Sequence, residues 1–135
     1  DYKRLDPITK AKINRVSKIT KNYSKLYLNL AISYSGRDEI VNATNRLISD
    51  KIYKVKESEF NKYLYTNHIP DPDFLIRTGG EYRLSNFLLW QLAYTELYFT
   101  PILWPDFNSE ALDDSIREYQ NRERRFGKIS EQIQN

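Results

Sequence analysis

Three short apolar runs constrain the fold of this chain more than any other feature. LYLNLAISY at 26–34 alternates and then runs apolar, while FLIRT at 74–78 and ELYFT at 96–100 are shorter. Each reads as a buried strand. Between the first two lie stretches with helical spacing. In GRDEIVNATNRLISDKI (36–52), Ile40, Ala43, Leu47 and Ile48 fall on one side, and over 57–66 Phe60, Tyr63 and Leu64 share a face. IPDPD at 69–73 is turn chemistry, because each proline moves its predecessor out of the helical region. Residues 86–93 read as helical, and 109–126 as a closing helix with Leu112, Ile116 and Tyr119 facing inward. Strands separated by helices predict an α/β fold, a mostly parallel sheet with helices on both faces.

At 135 residues the chain makes one domain or part of one. Hydrophobic residues at 40% and aromatics at 14% supply a core, and 29% charged is a globular balance that argues against disorder. With no Cys, a disulfide framework and thiolate chemistry are excluded, and a reducing interior fits. No apolar run reads as a bilayer span and the opening residues do not read as a signal peptide. The chain also lacks Met and opens on the charged DYKRLDP, so it reads as a piece whose beginning lies upstream. Its net charge of +3 does not demand a polyanion. Residues 1–25 nevertheless hold eight Lys or Arg, and Ile13, Val16, Ile19 and Tyr23 recur there at helical spacing. That pattern reads as a surface helix with a solvated basic face, with membrane-surface or nucleic-acid binding as the alternative.

The stretch IRTGGEYRLSN (76–86) carries the candidate chemistry. Arg77 and Gly79-Gly80 follow a strand's carboxyl end, where ligands bind in parallel sheets. Glycines there let backbone N–H groups approach an anion. Ser85 and Asn86 are good N-cap residues, so a helix is expected to begin beside the loop. A helix start, glycines and the guanidinium forks of Arg77 and Arg83 together describe a phosphate site. The alternative is an ordinary turn in which Arg77 pairs with Glu81 or Asp73. Glu96 sits in heavily apolar surroundings, where a carboxylate is costly unless paired or bound to a cation. From the residues alone a salt bridge to a nearby Arg or Lys is favoured, with Mg²⁺ shared with a diphosphate as the alternative.

Taken together, PDFLIRTGGEYRLSNFLLWQLAYTELYF with the following LWPDF resembles the cis-prenyltransferases, the undecaprenyl diphosphate synthase family. LNLAISYSGRDEI resembles the family's Asn-Tyr-Gly-Gly-Arg segment, and YQNRERRFG its closing helix. The resemblance runs over nearly the whole chain in the right order. It implies that residues 1–135 are the carboxyl-terminal part of a single cis-prenyltransferase domain. The amino-terminal part, with the loop that binds the allylic diphosphate and its catalytic Asp, has no counterpart here.

The implied activity joins isopentenyl diphosphate repeatedly to an allylic diphosphate such as farnesyl diphosphate. The implied product is a cis-polyprenyl diphosphate, undecaprenyl diphosphate for the cell-wall lipid carrier. Arg77, Arg83 and Ser85 would hold isopentenyl diphosphate, Glu96 would belong to a Mg²⁺ site, and Arg125 and Gly127 would reach a neighbouring subunit's diphosphate in a homodimer. The resemblance further implies a cytoplasmic enzyme in peripheral contact with the inner membrane face, with no nucleic-acid partner. Three positions depart from the family pattern. Tyr82 stands where some members have a metal-binding His, and Ser33 and Ser35 replace an Asn and a Gly. This chain alone is therefore expected to be catalytically silent. The rival expectation is a non-catalytic partner subunit of a heteromeric prenyltransferase, against which the retained Arg77, Arg83, Ser85 and Glu96 count. Asp113-Asp114 resembles the paired aspartates of trans-type enzymes, but DDSIRE lacks the third Asp and reads as a solvated helix face.

Overall fold

A computed structural model describes residues 5–122. Asp6 opens helix α1 (Pro7–Thr20), its Oδ1 accepting from the N–H groups of Ile8 (2.9 Å) and Thr9 (3.0 Å), with Pro7 at the first turn. No residue of α1 is buried, and Val16, Ile19 and Tyr23 are exposed. The stretch predicted as a strand over 26–34 joins no ladder among the described residues. Leu26, Leu28 and Leu30 lie exposed at 81%, 79% and 67%. A strand needs a partner for its N–H and C=O groups, and the two strands described here pair only with each other.

Helix α2 (Gly36–Ser49) follows, then the short helix α3 (Glu57–Phe60) running into a 3₁₀ turn at Asn61–Tyr63. The buried stripe of α2 is Gly36, Glu39, Ala43 and Leu47, whereas Ile48, expected inward, is 53% exposed. Arg46 of α2 donates to the Tyr63 carbonyl (2.9 Å) and the Tyr63 hydroxyl to Asp50 (2.9 Å), which fixes the 3₁₀ turn against α2. Leu64 beyond that turn is buried, as are Ala43, Leu47 and Leu92, and burial of each leucine contributes about 1.5–3 kcal/mol.

Strands β1 (Phe74–Arg77) and β2 (Glu96–Phe99) are parallel, in register from Phe74 opposite Glu96 to Arg77 opposite Phe99. The parallel pairing agrees with the α/β expectation. Helix α4 (Ser109–Gln120) is capped by Asn108, whose Oδ1 accepts from the Ala111 N–H (3.0 Å). Its inward residues are Ser115, fully buried, and Tyr119, whose ring lies 4.8 Å from Phe74. Leu112 and Ile116 stay 40% and 38% exposed, so the expected inward face is turned toward the small Ser115. The last part of the helix expected over 109–126 falls outside the described residues.

The helix expected over 86–93 does not form. Ser85, Asn86 and Leu88 have φ of 50°, 64° and 44°, left-handed values that a right-handed helix excludes. The reason is tertiary. Gly36 at the start of α2 packs against this segment so closely that a Cβ there would meet Leu89 Cγ at 3.0 Å, Leu89 N at 3.1 Å and Asn86 O at 3.2 Å. The backbone turns away through a series of tight turns.

Candidate functional site

At the carboxyl end of β1 the chain enters the loop 77–86. Gly79 (φ 89°) and Gly80 (φ 73°) supply left-handed turns that other residues rarely adopt. Their N–H groups do not face an anion as the sequence suggested. Gly79 donates to the Ile102 carbonyl (2.8 Å) and Gly80 to the Thr100 carbonyl (2.9 Å), extending the β1–β2 connection past the ladder. The glycines therefore shape the loop, and the backbone amides are already engaged.

Side chains supply the positive charge. Arg77 donates through Nη1 to the Ser85 hydroxyl (3.0 Å) and to the Arg83 carbonyl. Arg83 pairs with Glu81, both largely exposed. Of the pairings considered for Arg77, Glu81 is thus taken by Arg83. Arg77 and Ser85 border a cavity of about 370 Å³ whose remaining lining includes Leu75, Ile76, Leu84 and Phe87. Arg77, Ser85 and Thr78 give the lining its polar groups, and the other four residues are apolar. This suits an amphiphilic ligand with an anionic head and a short hydrocarbon body.

Glu96 opens β2 at the opposite end of the ladder, three registers and so about 10 Å from Arg77. Arg122 holds it, with Nη1 3.1 Å from Glu96 Oε2 and 2.9 Å from the Leu97 carbonyl, and Nη2 on Glu118. The salt bridge favoured by the residues alone is the one formed. Tyr82 is 77% exposed, its ring 5.4 Å from Phe99. Among the described residues no group of three or more His, Cys, Asp or Glu gathers to hold a metal. A divalent cation shared with an anion at Arg77 does not fit this arrangement, since it would have to displace Arg122 from Glu96 and bridge the length of the strands. Asp114 pairs with Arg117 (2.8 Å) on an exposed face, as expected for a solvated helix. Arg125 and Gly127 lie outside the described residues.

Two residues have partners that the sequence did not anticipate. Glu39 is 1% exposed, and its carboxylate accepts from the Tyr34 hydroxyl, the Tyr65 N–H (2.7 Å) and Gln91 Nε2 (3.0 Å). Gln91 also donates to Thr66 Oγ1 (2.8 Å). The available signal was Glu39's position four and eight residues before Ala43 and Leu47, which puts an acid on the apolar stripe. The second is Asn86. Its Oδ1 accepts from the Arg37 N–H (2.9 Å), its Nδ2 donates to Ser35 Oγ (2.7 Å), and its carbonyl accepts from the Gly36 N–H (2.8 Å). The sequence marked Asn86 as a cap, but for a helix over 86–93 and not for α2, whose first N–H groups it takes.

Burial first, and then the hydrogen bond to Glu39, push the Tyr34 pKa above the ordinary phenol value. The folded chain therefore holds this proton more tightly than the unfolded one. The stabilisation is full below about pH 10 and declines as pH rises through the raised folded value. Tyr34→Phe should retain the edge-to-face contact with Phe87, lose about 1 kcal/mol at pH 7, and flatten the alkaline decline. Urea melts at pH 7 and above pH 10 read both effects. An equally steep alkaline decline in the variant would exclude Tyr34 as its source.

Comparison with known proteins decides the family. Residues 1–127 match the family model for undecaprenyl diphosphate synthase. The chain belongs to the cis-prenyltransferase family. An isoprenyl transferase of Neisseria meningitidis is 51% identical over 90% of this chain and 49% of its own length, and one of Fusobacterium nucleatum is 53% identical over 87% and 50%. The chain thus spans about half the length of these relatives. Among solved structures, lavandulyl diphosphate synthase from Lavandula x intermedia, in complex with dimethylallyl diphosphate, superposes with a TM-score of 0.88 at 38% identity, covering 95% of this chain and 58% of its own. A probable undecaprenyl diphosphate synthase from Campylobacter jejuni gives 0.81 at 41% identity over 95% and 60%. These similarities support the α/β cis-prenyltransferase fold. Among the described residues no helix is long and apolar enough to cross a membrane.

Proposed function

We propose that this chain is the isopentenyl diphosphate-binding portion of a cis-prenyltransferase that extends an allylic diphosphate. The observation that carries this reading is the cavity beyond β1, with Arg77 and Ser85 held together and Leu75, Ile76, Leu84 and Phe87 in the same lining. A diphosphate meets the guanidinium fork and the hydroxyl, and a five-carbon chain meets the apolar wall. Arg83 swings from Glu81 to the outer phosphate oxygens, an exchange made easy by the exposure of both side chains.

In the proposed reaction the allylic C–O bond breaks, the isopentenyl double bond attacks the allylic carbon, and a proton leaves to form the new cis double bond. Arg77, Arg83 and Ser85 bind and orient the isopentenyl partner, and fixed geometry between the two substrates supplies much of the rate. The Mg²⁺ site expected at Glu96 forms no part of this reading, because Arg122 holds that carboxylate. Undecaprenyl diphosphate as product, a homodimer with Arg125 and Gly127 reaching the neighbouring subunit, and contact with the inner membrane face belong to the same reading. So does the expectation that this chain alone gives no turnover.

Calorimetric titration of isopentenyl diphosphate into the folded chain tests the proposal, with Arg83→Ala as control. The expected outcome is saturable binding that weakens about tenfold in the variant, the value of one charge-assisted contact. Equal affinity in chain and variant would remove Arg83 from the site, and turnover by the chain alone would overturn the expected silence.

A further inference from the structure

The amino end of α2 is capped from across the chain. The first N–H groups of a helix have no partner within it. Here the Gly36 N–H goes to the Asn86 carbonyl (2.8 Å), the Arg37 N–H to Asn86 Oδ1 (2.9 Å), and the Asp38 N–H to Ser35 Oγ (3.4 Å). Ser35 in turn accepts from Asn86 Nδ2 (2.7 Å). This helix end therefore has its leading donors engaged by protein, and its role toward the anion site is mechanical.

We propose that Asn86 is a positioning residue for the diphosphate clamp. It immediately follows Ser85, whose hydroxyl takes the Arg77 guanidinium at 3.0 Å. Three bonds from Asn86 to residues 35–37 fix the backbone at φ 64°, and Ser85, at φ 50°, is one peptide away. The same junction crowds any Cβ at Gly36, which would meet Asn86 O at 3.2 Å and Leu89 N at 3.1 Å. Asn86 thereby sets where the Ser85 hydroxyl stands relative to Arg77, and acts on the ligand through that pair. Ser35, which replaces a glycine of the resembled family segment, adds its hydroxyl to the junction in this chain.

The inference rests on the diphosphate reading, and its test separates the two. Isopentenyl diphosphate and isopentenyl monophosphate are titrated into the chain and into Asn86→Ala, Asn86→Gly and Arg77→Ala, with the folded fraction of each followed by circular dichroism. A clamp of fixed spacing discriminates two phosphates from one, whereas a smaller folded fraction weakens both ligands by the same factor. Asn86→Gly keeps the left-handed backbone accessible and removes both side-chain bonds. The expected result is a fall of about tenfold in the diphosphate-to-monophosphate affinity ratio for both Asn86 variants, the effect of about one well-placed hydrogen bond. If the parent binds, Arg77→Ala does not, and Asn86→Gly keeps the parent ratio, the inference fails and the diphosphate reading stands. If the parent does not bind, or Arg77→Ala binds equally well, both fail. Should the Asn86 variants not fold, Ser35→Ala removes the acceptor of Asn86 Nδ2 from the other side, and an unchanged ratio there overturns the inference.

Discussion

Replacing Arg77 by alanine is expected to weaken isopentenyl diphosphate binding by about a hundredfold or more, the loss of a bidentate charge-assisted pair at about 1.5–3 kcal/mol per bond. The effect is compound. Arg77 contributes its fork to the ligand and also donates to Ser85 and the Arg83 carbonyl, so its removal loosens both remaining members of the clamp. Arg77→Lys should fall between, because an ammonium retains the charge but cannot span two acceptors in a plane. Titration calorimetry at fixed ionic strength separates the three proteins. A lysine variant equal to the parent would show that charge alone suffices, and an alanine variant equal to the parent would remove the cavity beyond β1 from consideration.

The largest effect on stability is expected at Glu39, far from any role in binding charge. Glu39→Ala leaves the Tyr34 hydroxyl and the Tyr65 N–H without this acceptor and takes one of the two acceptors of Gln91 Nε2. That should cost about 3–5 kcal/mol and lower Tm by roughly 10–15 °C. Glu39→Gln retains one carbonyl acceptor and should lose about half as much. Thermal melts followed by circular dichroism give the order alanine, glutamine, parent. An alanine variant melting within two or three degrees of the parent would mean that water satisfies these donors (about 1 kcal/mol or less).

The parts legible in the sequence were those governed by local pattern. Strands β1 and β2 followed from two apolar runs, their parallel pairing from the helix expected between them, which the structure replaces with turns, and Ala43 and Leu47 from helical spacing. Arg77, Arg83 and Ser85 are close together because only eight residues separate Arg77 from Ser85. The Glu96 pairing followed from the cost of an unpaired carboxylate. The failures share a different cause. Residues 86–93 have a helical apolar pattern, yet the junction with Gly36 imposes positive φ where the pattern expects a helix. Glu39 stands in a first helical turn, where acids are common, and its burial depends on Tyr65 and Gln91, 26 and 52 residues away. The Gly79 and Gly80 amides suggested a nest until Thr100 and Ile102 claimed them. Leu26, Leu28 and Leu30 carried a strand pattern without a ladder to join. The first three misses are contacts distant in sequence prevailing over a local preference, and the fourth is a local preference left without a distant partner among the described residues.

The junction between Asn86 and α2 spans 49 residues from Arg37 and 51 from Ser35. Chain entropy must be lost before so distant a contact can form. The loop from Arg77 to Ser85 thus acquires its shape only in molecules that have completed this closure, and a ligand that recognises the shape recognises the closed state. Recognition and folding are then one linked equilibrium: ligand at a hundred times its Kd adds about 2.7 kcal/mol to the stability of the closed chain. A diphosphate bound as proposed would act on this chain as a folding aid.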